Sequence, residues 1–176
     1  MARMSIGMGL LILVATVAFM EMFAYAMHRW VMHGFLWSLH ESHHRPRVGW
    51  FEKNDWFGVV FAMPSIAFIA MGTQLGFSPV WAWVGVGIAI YGMIYFGFHD
   101  VIVHRRMEHR WRPTTPYMRR IVQAHRLHHA VETRDGTVSF GFLWAPEIRA
   151  LKAELASREN GRIRAPRPGS IVQRAK

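Results

Sequence analysis

Cysteine is absent from this chain of 176 residues. That excludes disulfides, zinc fingers, iron-sulfur clusters and thiolate ligands together, and leaves imidazole and carboxylate as candidate metal ligands. Acidic residues are scarce: 11 Asp and Glu stand against 21 Lys and Arg, for a net charge of +10. Such a balance suits nucleic acid, but the basic residues are segregated along the chain and no nucleic-acid motif accompanies them, so the reading has no nucleic-acid partner. A nucleophilic Ser or Cys motif is missing as well. Over residues 56–98 charge disappears altogether, with 43 consecutive residues free of Asp, Glu, Lys and Arg.

With 52% hydrophobic content, these uncharged runs assign the chain to the membrane class. About twenty residues at about 1.5 Å each cross a ~30 Å hydrocarbon layer, and residues 5–27, apolar apart from Glu21, form a first span. The competing reading of this segment is a secretory leader, suggested by Ala24, Tyr25 and Ala26, but cleavage there leaves His28 almost at the new terminus. Residues 56–98 are too long for one crossing. Turn-forming residues at 72–79 divide them into spans at about 57–73 and 79–98, with Pro64 expected to kink the former. The expected fold is thus an all-α integral membrane protein of three transmembrane helices, four at most, carrying a helical cap. Residues 1–156 form one membrane-embedded domain, and 157–176 form a basic tail whose Arg, Pro and Gly content reads as disordered. A polar loop is expected over 28–55, an interfacial helix around 118–125, an extended stretch at 135–144 and a last helix at 147–156.

Histidine is what the chain has in excess. His28 and His33 are spaced H-x4-H, and His40, His43 and His44 are spaced H-x2-H-H. His99 and His104 then repeat the first pattern, and His125, His128 and His129 the second. Ten of the eleven histidines belong to these two copies, and only His109 stands outside. Three spans place all ten on one side. One basic residue, Arg3, precedes the first span, four lie in 28–55 and sixteen follow His99, so the positive-inside rule makes the histidine side cytoplasmic and the N-terminus external.

Helix positions i, i+3 and i+4 share a face, so each H-x2-H-H triplet can divide its rings between two neighbouring ions. The H-x4-H pairs are awkward, because i and i+5 lie about 140° apart on a straight helix. They serve one centre only if the helix is distorted or ends between them. A structural zinc site needs four ligands. Ten imidazoles suit two ions with five each, or nine ligands and an open position. Asp100 beside His99 and Glu41 beside His40 are candidates to orient those rings. Imidazole is compatible with zinc, copper, iron and nickel. A paired site at the mouth of a membrane bundle suits oxidation of a lipid-soluble molecule, which two irons with O2 can accomplish.

The order H-x4-H, H-x2-H-H, H-x4-H, H-x2-H-H resembles the membrane fatty acid hydroxylase superfamily. The surrounding wording, HGF at 33–35, HHRP at 43–46, GWFEKND at 49–55, HD at 99–100, AHRLHHA at 124–130 and VSFGF at 138–142, is similar to the bacterial β-carotene 3-hydroxylases across roughly residues 10–146. The resemblance implies a ferredoxin-dependent monooxygenase with a non-haem pair of iron ions, using O2 to convert β-carotene through β-cryptoxanthin to zeaxanthin. It also implies that the ten patterned histidines are the ligands; zinc is a compatible occupant of a purified sample. A fatty acyl or sterol hydroxylase, or a carotenoid ketolase, is the alternative within the same chemistry. A membrane metal carrier is the alternative outside it, disfavoured because the histidines cluster on one side instead of lining a path.

Overall fold

A computed structural model describes residues 4–47 and 49–158. It is all-helical, and the tail expected from 157 onward lies almost wholly outside the described residues. Helix α1 (Ile6–Ala26) starts where the Ser5 side chain accepts the Met8 N–H, an N-cap that satisfies one of the unpaired donors of the first turn. It continues without interruption into a π-helical segment (Met27–Phe35), and α2 (Trp37–His44) follows. Helices α3 (Asp55–Thr73) and α4 (Val80–Tyr95) form a hairpin whose turn contains Gly76 at φ 74°, a left-handed conformation that glycine adopts without steric cost. Helix α3 runs through Pro64 as one helix. A second π-helical segment (Phe96–Val103) extends α4. Helices α5 (Pro116–His128) and α6 (Ile148–Ser157) complete the chain, α5 beginning at Thr115, whose hydroxyl caps the Met118 N–H.

Three helical stretches are long and apolar enough to cross a membrane: Ile6–Phe35, Asp55–Thr73 and Val80–Val103. Two of them outrun the sequence expectation. The chain from 28 to 35 is helix instead of polar loop, because Arg29, Trp30, Val31 and Met32 are all compatible with a helix and the first break is Gly34, at φ −109° and ψ −123°. Similarly, the third span reaches Val103 and not 98. Thirty residues of helix measure about 45 Å, well beyond a ~30 Å hydrocarbon layer. The surplus is long enough to carry His28 and His33 beyond such a layer.

Helix α4 packs against both α1 and α3, and small residues permit the close approach. A Cβ built on Gly85 meets the Ser65 carbonyl oxygen of α3 at 2.7 Å, and one on Gly87 meets Thr16 of α1 at 2.7 Å. Above the spans, α5 and α6 enclose a core of Ile121, Ala124, Val131, Val138, Ala145, Leu151 and Leu155. A second cluster, Met20, Tyr91 and Phe142, fastens this cap to α1 and α4.

Candidate metal centre

The π-helical segments resolve the awkward H-x4-H spacing. In a π-helix the backbone bond runs from i+5 to i, which closes the turn one residue later and brings residues five apart towards a common face. The bond that does this at the second pair joins the histidines themselves: the His104 N–H donates to the His99 carbonyl at 2.9 Å. In the first segment the Leu36 N–H reaches the Val31 carbonyl at 3.0 Å. Distortion of the helix, one of the two conditions expected for these pairs, is found at both.

All ten patterned histidines come together, in two groups of five. His28, His33, His40, His44 and His128 form the first, and His43, His99, His104, His125 and His129 the second; within each, five ring nitrogens lie within 4.8 Å of one another. Each triplet is divided. On α2, His40 and His44 face the first group while His43 faces the second; on α5 and its cap, His125 and His129 face the second while His128 crosses to the first. The i,i+4 pair stays together and the i+3 residue changes sides, so the two triplets interlock the groups.

Short nitrogen contacts run through both groups. His28 Nε2 lies 3.1 Å from His40 Nε2, His33 Nε2 3.2 Å from His128 Nε2, His43 Nε2 3.2 Å from His99 Nε2, and His104 Nε2 2.8 Å from His125 Nε2. Two imidazole nitrogens at right angles around one ion, each about 2.1 Å from it, lie roughly 3.0 Å apart, and opposite ones about 4.2 Å. The observed spacings fit that shell.

The outer nitrogens decide what the inner ones carry. His28 Nδ1 donates to the Phe140 carbonyl (3.0 Å), His33 Nδ1 to that of Arg134 (2.8 Å), His44 Nδ1 to that of Val131 (2.8 Å) and His128 Nδ1 to that of Val138 (3.0 Å). A carbonyl only accepts, so each of these Nδ1 atoms holds its proton. Burial, followed by the charge of neighbouring imidazoles, pushes His40, His43, His125, His128 and His129 well below their ordinary 6.5, and His44 to about 3. These rings are therefore neutral at pH 7. His33 and His128 both commit the Nδ1 proton to a carbonyl, so as neutral rings they aim bare Nε2 lone pairs at each other across 3.2 Å, an arrangement that calls for a cation between them. His129 Nε2 is likewise buried without a hydrogen-bond partner. The residues present fit a metal ion in each group.

Around the second group the acceptors are carboxylates. His99 Nδ1 donates to Asp100 at 2.6 Å, as the adjacency suggested, and Asp100 also receives Arg106 at 2.8 Å. Arg106 pairs with Asp55 as well and donates to the Trp50 carbonyl. Glu41, the other candidate, does not orient a ring: it is partly exposed and pairs with Arg45 one turn on, because it points away from the face that His40 and His44 share. His40 instead donates to Asn54 Oδ1 (2.7 Å), and His43 to Glu52 (3.1 Å). Both partners sit in the GWFEKND stretch at 49–55, which carries the family resemblance and whose amide and carboxylate side chains are the signal for this role. His109 stays outside both groups, bonded to the Val101 carbonyl at 2.9 Å. Glu21, for which sequence offered no partner, accepts from Tyr91 and from three backbone N–H groups of residues 142–144.

Three apolar helices holding two interlocked five-imidazole groups define a membrane-type, histidine-rich protein able to hold a pair of metal ions. The chain belongs to the fatty acid hydroxylase family, which it matches over residues 13–145. It is 50% identical over 146 residues to the beta-carotene hydroxylase of Paracoccus sp. (strain PC1), an alignment covering 82% of this chain and 89% of that one. Similarity to the beta-carotene hydroxylase of Pantoea ananas is 46% over 157 residues, 89% of each. The chloroplastic beta-carotene hydroxylase 1 of Capsicum annuum is 40% identical over 82% of this chain, which spans 47% of that longer protein. No solved structure matches the chain.

Proposed function

We propose that this protein is a β-carotene 3-hydroxylase that holds two iron ions in its ten-histidine centre. It places a hydroxyl on carbon 3 of each β-ionone ring, taking β-carotene through β-cryptoxanthin to zeaxanthin. Each round consumes one C–H group, one O2, two protons and two electrons, and returns one hydroxyl and one water. The electrons come from a reduced ferredoxin-type donor. The observation that carries this reading is the gathering of five imidazole nitrogens at metal-shell spacing in each of two groups, in a chain 50% identical over 146 residues to a beta-carotene hydroxylase.

His28, His33, His40, His44 and His128 hold one ion and His43, His99, His104, His125 and His129 the other. Iron bound there supplies, with O2, an oxidant strong enough for an unactivated C–H bond. The chain's own residues do the rest. The carbonyls of residues 131–140 fix four rings of the first group, and Glu52 and Asp100 fix two of the second, so the donor nitrogens are preorganised. Aromatic rings wall the centre: Phe140 packs on His28, His33 and His128, and Tyr95 stacks on His99 with ring centroids 4.3 Å apart. Such walls exclude water and accept an apolar ring system arriving from the bilayer.

The histidine side faces the cytoplasm in this reading, with the N-terminus outside, because twenty of the 21 basic residues lie on that side. That basic face attracts an acidic electron donor. Residues 1–156 act as one membrane-embedded unit, and 157–176 as a basic tail drawn to anionic lipid.

The test is expression in bacteria that accumulate β-carotene, followed by chromatography of the pigments. Zeaxanthin and β-cryptoxanthin are expected. Unchanged β-carotene beside folded, iron-loaded protein rejects the proposal, and keto products redirect it to a ketolase.

A further inference from the structure

The two groups are oriented by different parts of the chain. Four of the five rings in the first group are held by backbone carbonyls from one short segment: Val131 holds His44, Arg134 holds His33, Val138 holds His128 and Phe140 holds His28. No helix stiffens that segment. Within it Ser139 takes φ 60°, a left-handed conformation that a residue with a Cβ adopts only where its surroundings hold it there. This residue lies between the two carbonyls that serve His128 and His28.

Val131 and Val138 anchor the segment in the cap core, and Glu21 ties down the stretch at its end. One of its oxygens, Oε1, accepts the backbone N–H groups of Phe142 (2.8 Å), Leu143 (2.8 Å) and Trp144 (3.1 Å), while Oε2 accepts the Tyr91 hydroxyl at 2.9 Å. A carboxylate in a membrane span is costly unless fully paired, and here its pairing reaches from α1 to α4 and across more than a hundred residues to the stretch that follows Phe140. The turn that supplies these N–H groups is itself tight: a Cβ on Gly141 would lie 2.3 Å from the Trp144 carbonyl oxygen, and 3.5 Å from Glu21 Oε1. In the second group His43 and His99 donate instead to Glu52 and Asp100, which lie outside that segment, and Phe142 meets His99 only ring to ring, with centroids 5.9 Å apart.

We propose that Glu21 is a positioning residue for the first histidine group: an intramembrane latch that anchors the end of segment 131–144, and through it the rings of His28, His33, His44 and His128, while His43 and His99 of the second group are oriented by Glu52 and Asp100. This rests on the two-ion reading above. Loss of the latch loosens one ion of the pair and spares the other.

The experiment follows metal release from full-length, iron-loaded protein in detergent after mixing with excess chelator, counting the equivalents in each kinetic phase. Outer partners of metal-bound histidines are worth 10- to 100-fold in metal affinity. In Glu21→Leu one equivalent is expected to leave about 10- to 100-fold faster while the other keeps its wild-type rate. Glu21→Gln, which keeps an acceptor oxygen for the three N–H groups, should fall between that variant and wild type, and Tyr91→Phe, which spares those bonds, should stay near wild type. If Glu21→Leu does not fold, the Gln and Phe variants still carry the comparison. Acceleration of both ions together, or of neither, in Glu21→Gln overturns the latch. Wild-type protein that takes up fewer than two ions overturns the two-ion reading, and the latch with it, and is recognised before any variant is compared.

Discussion

Replacing Asp100 by Asn tests the second histidine group where its support is most concentrated. Asp100 accepts His99 Nδ1 at 2.6 Å and Arg106 at 2.8 Å, and its side chain is only 16% exposed, as is Arg106's at 10%, so solvent screens these bonds little. Asn retains one acceptor oxygen but turns an amide N–H₂ towards either the imidazole N–H or the guanidinium, and the charge that matched Arg106 is gone. A hydrogen bond to a charged group contributes about 1.5–3 kcal/mol net. Loss of an outer partner of a metal-bound histidine costs about 10- to 100-fold in metal affinity, equivalent to about 1.4–2.8 kcal/mol, so two independent routes give the same size. The assay is competition between detergent-solubilised protein and a chromophoric chelator at equilibrium. One ion per chain should be surrendered at 10- to 100-fold lower chelator, with the other unmoved. Two ions shifting in parallel, or no shift at all, would refute the division into separately supported groups. Arg106→Gln should move the same ion by less, because His99 then keeps its carboxylate.

His128→Ala should abolish turnover and lower bound metal, as should His125→Ala in the other group; full activity in either contradicts its placement among the ligands. His109→Ala removes one hydrogen bond to the Val101 carbonyl, worth about 1 kcal/mol, and pigment conversion should be unchanged. Gly85→Ala forces a Cβ to 2.7 Å from the Ser65 carbonyl oxygen, and overpacking of this kind costs about 1–3 kcal/mol, read as a lower melting temperature. Metal-free protein should lose stability as pH falls. Unfolded imidazoles protonate near 6.5, whereas burial keeps His40, His43, His125, His128 and His129 neutral well below that and His44 neutral to about 3. The unfolded state therefore binds more protons below about 6.5, and each such group costs about 1.4 kcal/mol per pH unit there. A melting temperature equal at pH 7.5 and pH 5.5 would contradict this.

Periodicity made the ten histidines and the spans legible, because both are local signals. The H-x2-H-H triplets lie on α2 and α5, where i,i+3,i+4 geometry holds, and their division between ions follows from it. The π-helical turns at His28 to His33 and at His99 to His104 were legible only as a need: the spacing called for a distortion, but no propensity names a π-helix. Continuation of the first helix to Phe35 was missed because Arg29 and His33 look polar, although nothing before Gly34 breaks a helix. Partners distant along the chain stayed hidden. Glu21 meets residues 142–144 through tertiary folding, and backbone carbonyls such as those of Val131 and Val138 leave no mark in side-chain composition. Adjacency singles out Glu41, but neighbours on a helix point apart, and the partner of His40 is Asn54, fourteen residues away.

Iron-edge X-ray absorption on active, purified protein, calibrated by iron content per chain, measures the central assignment most directly. Two irons per chain, each with about five imidazole nitrogens near 2.1 Å, are expected from the two five-histidine groups. One iron per active chain, or shells of three or fewer imidazoles, contradicts it.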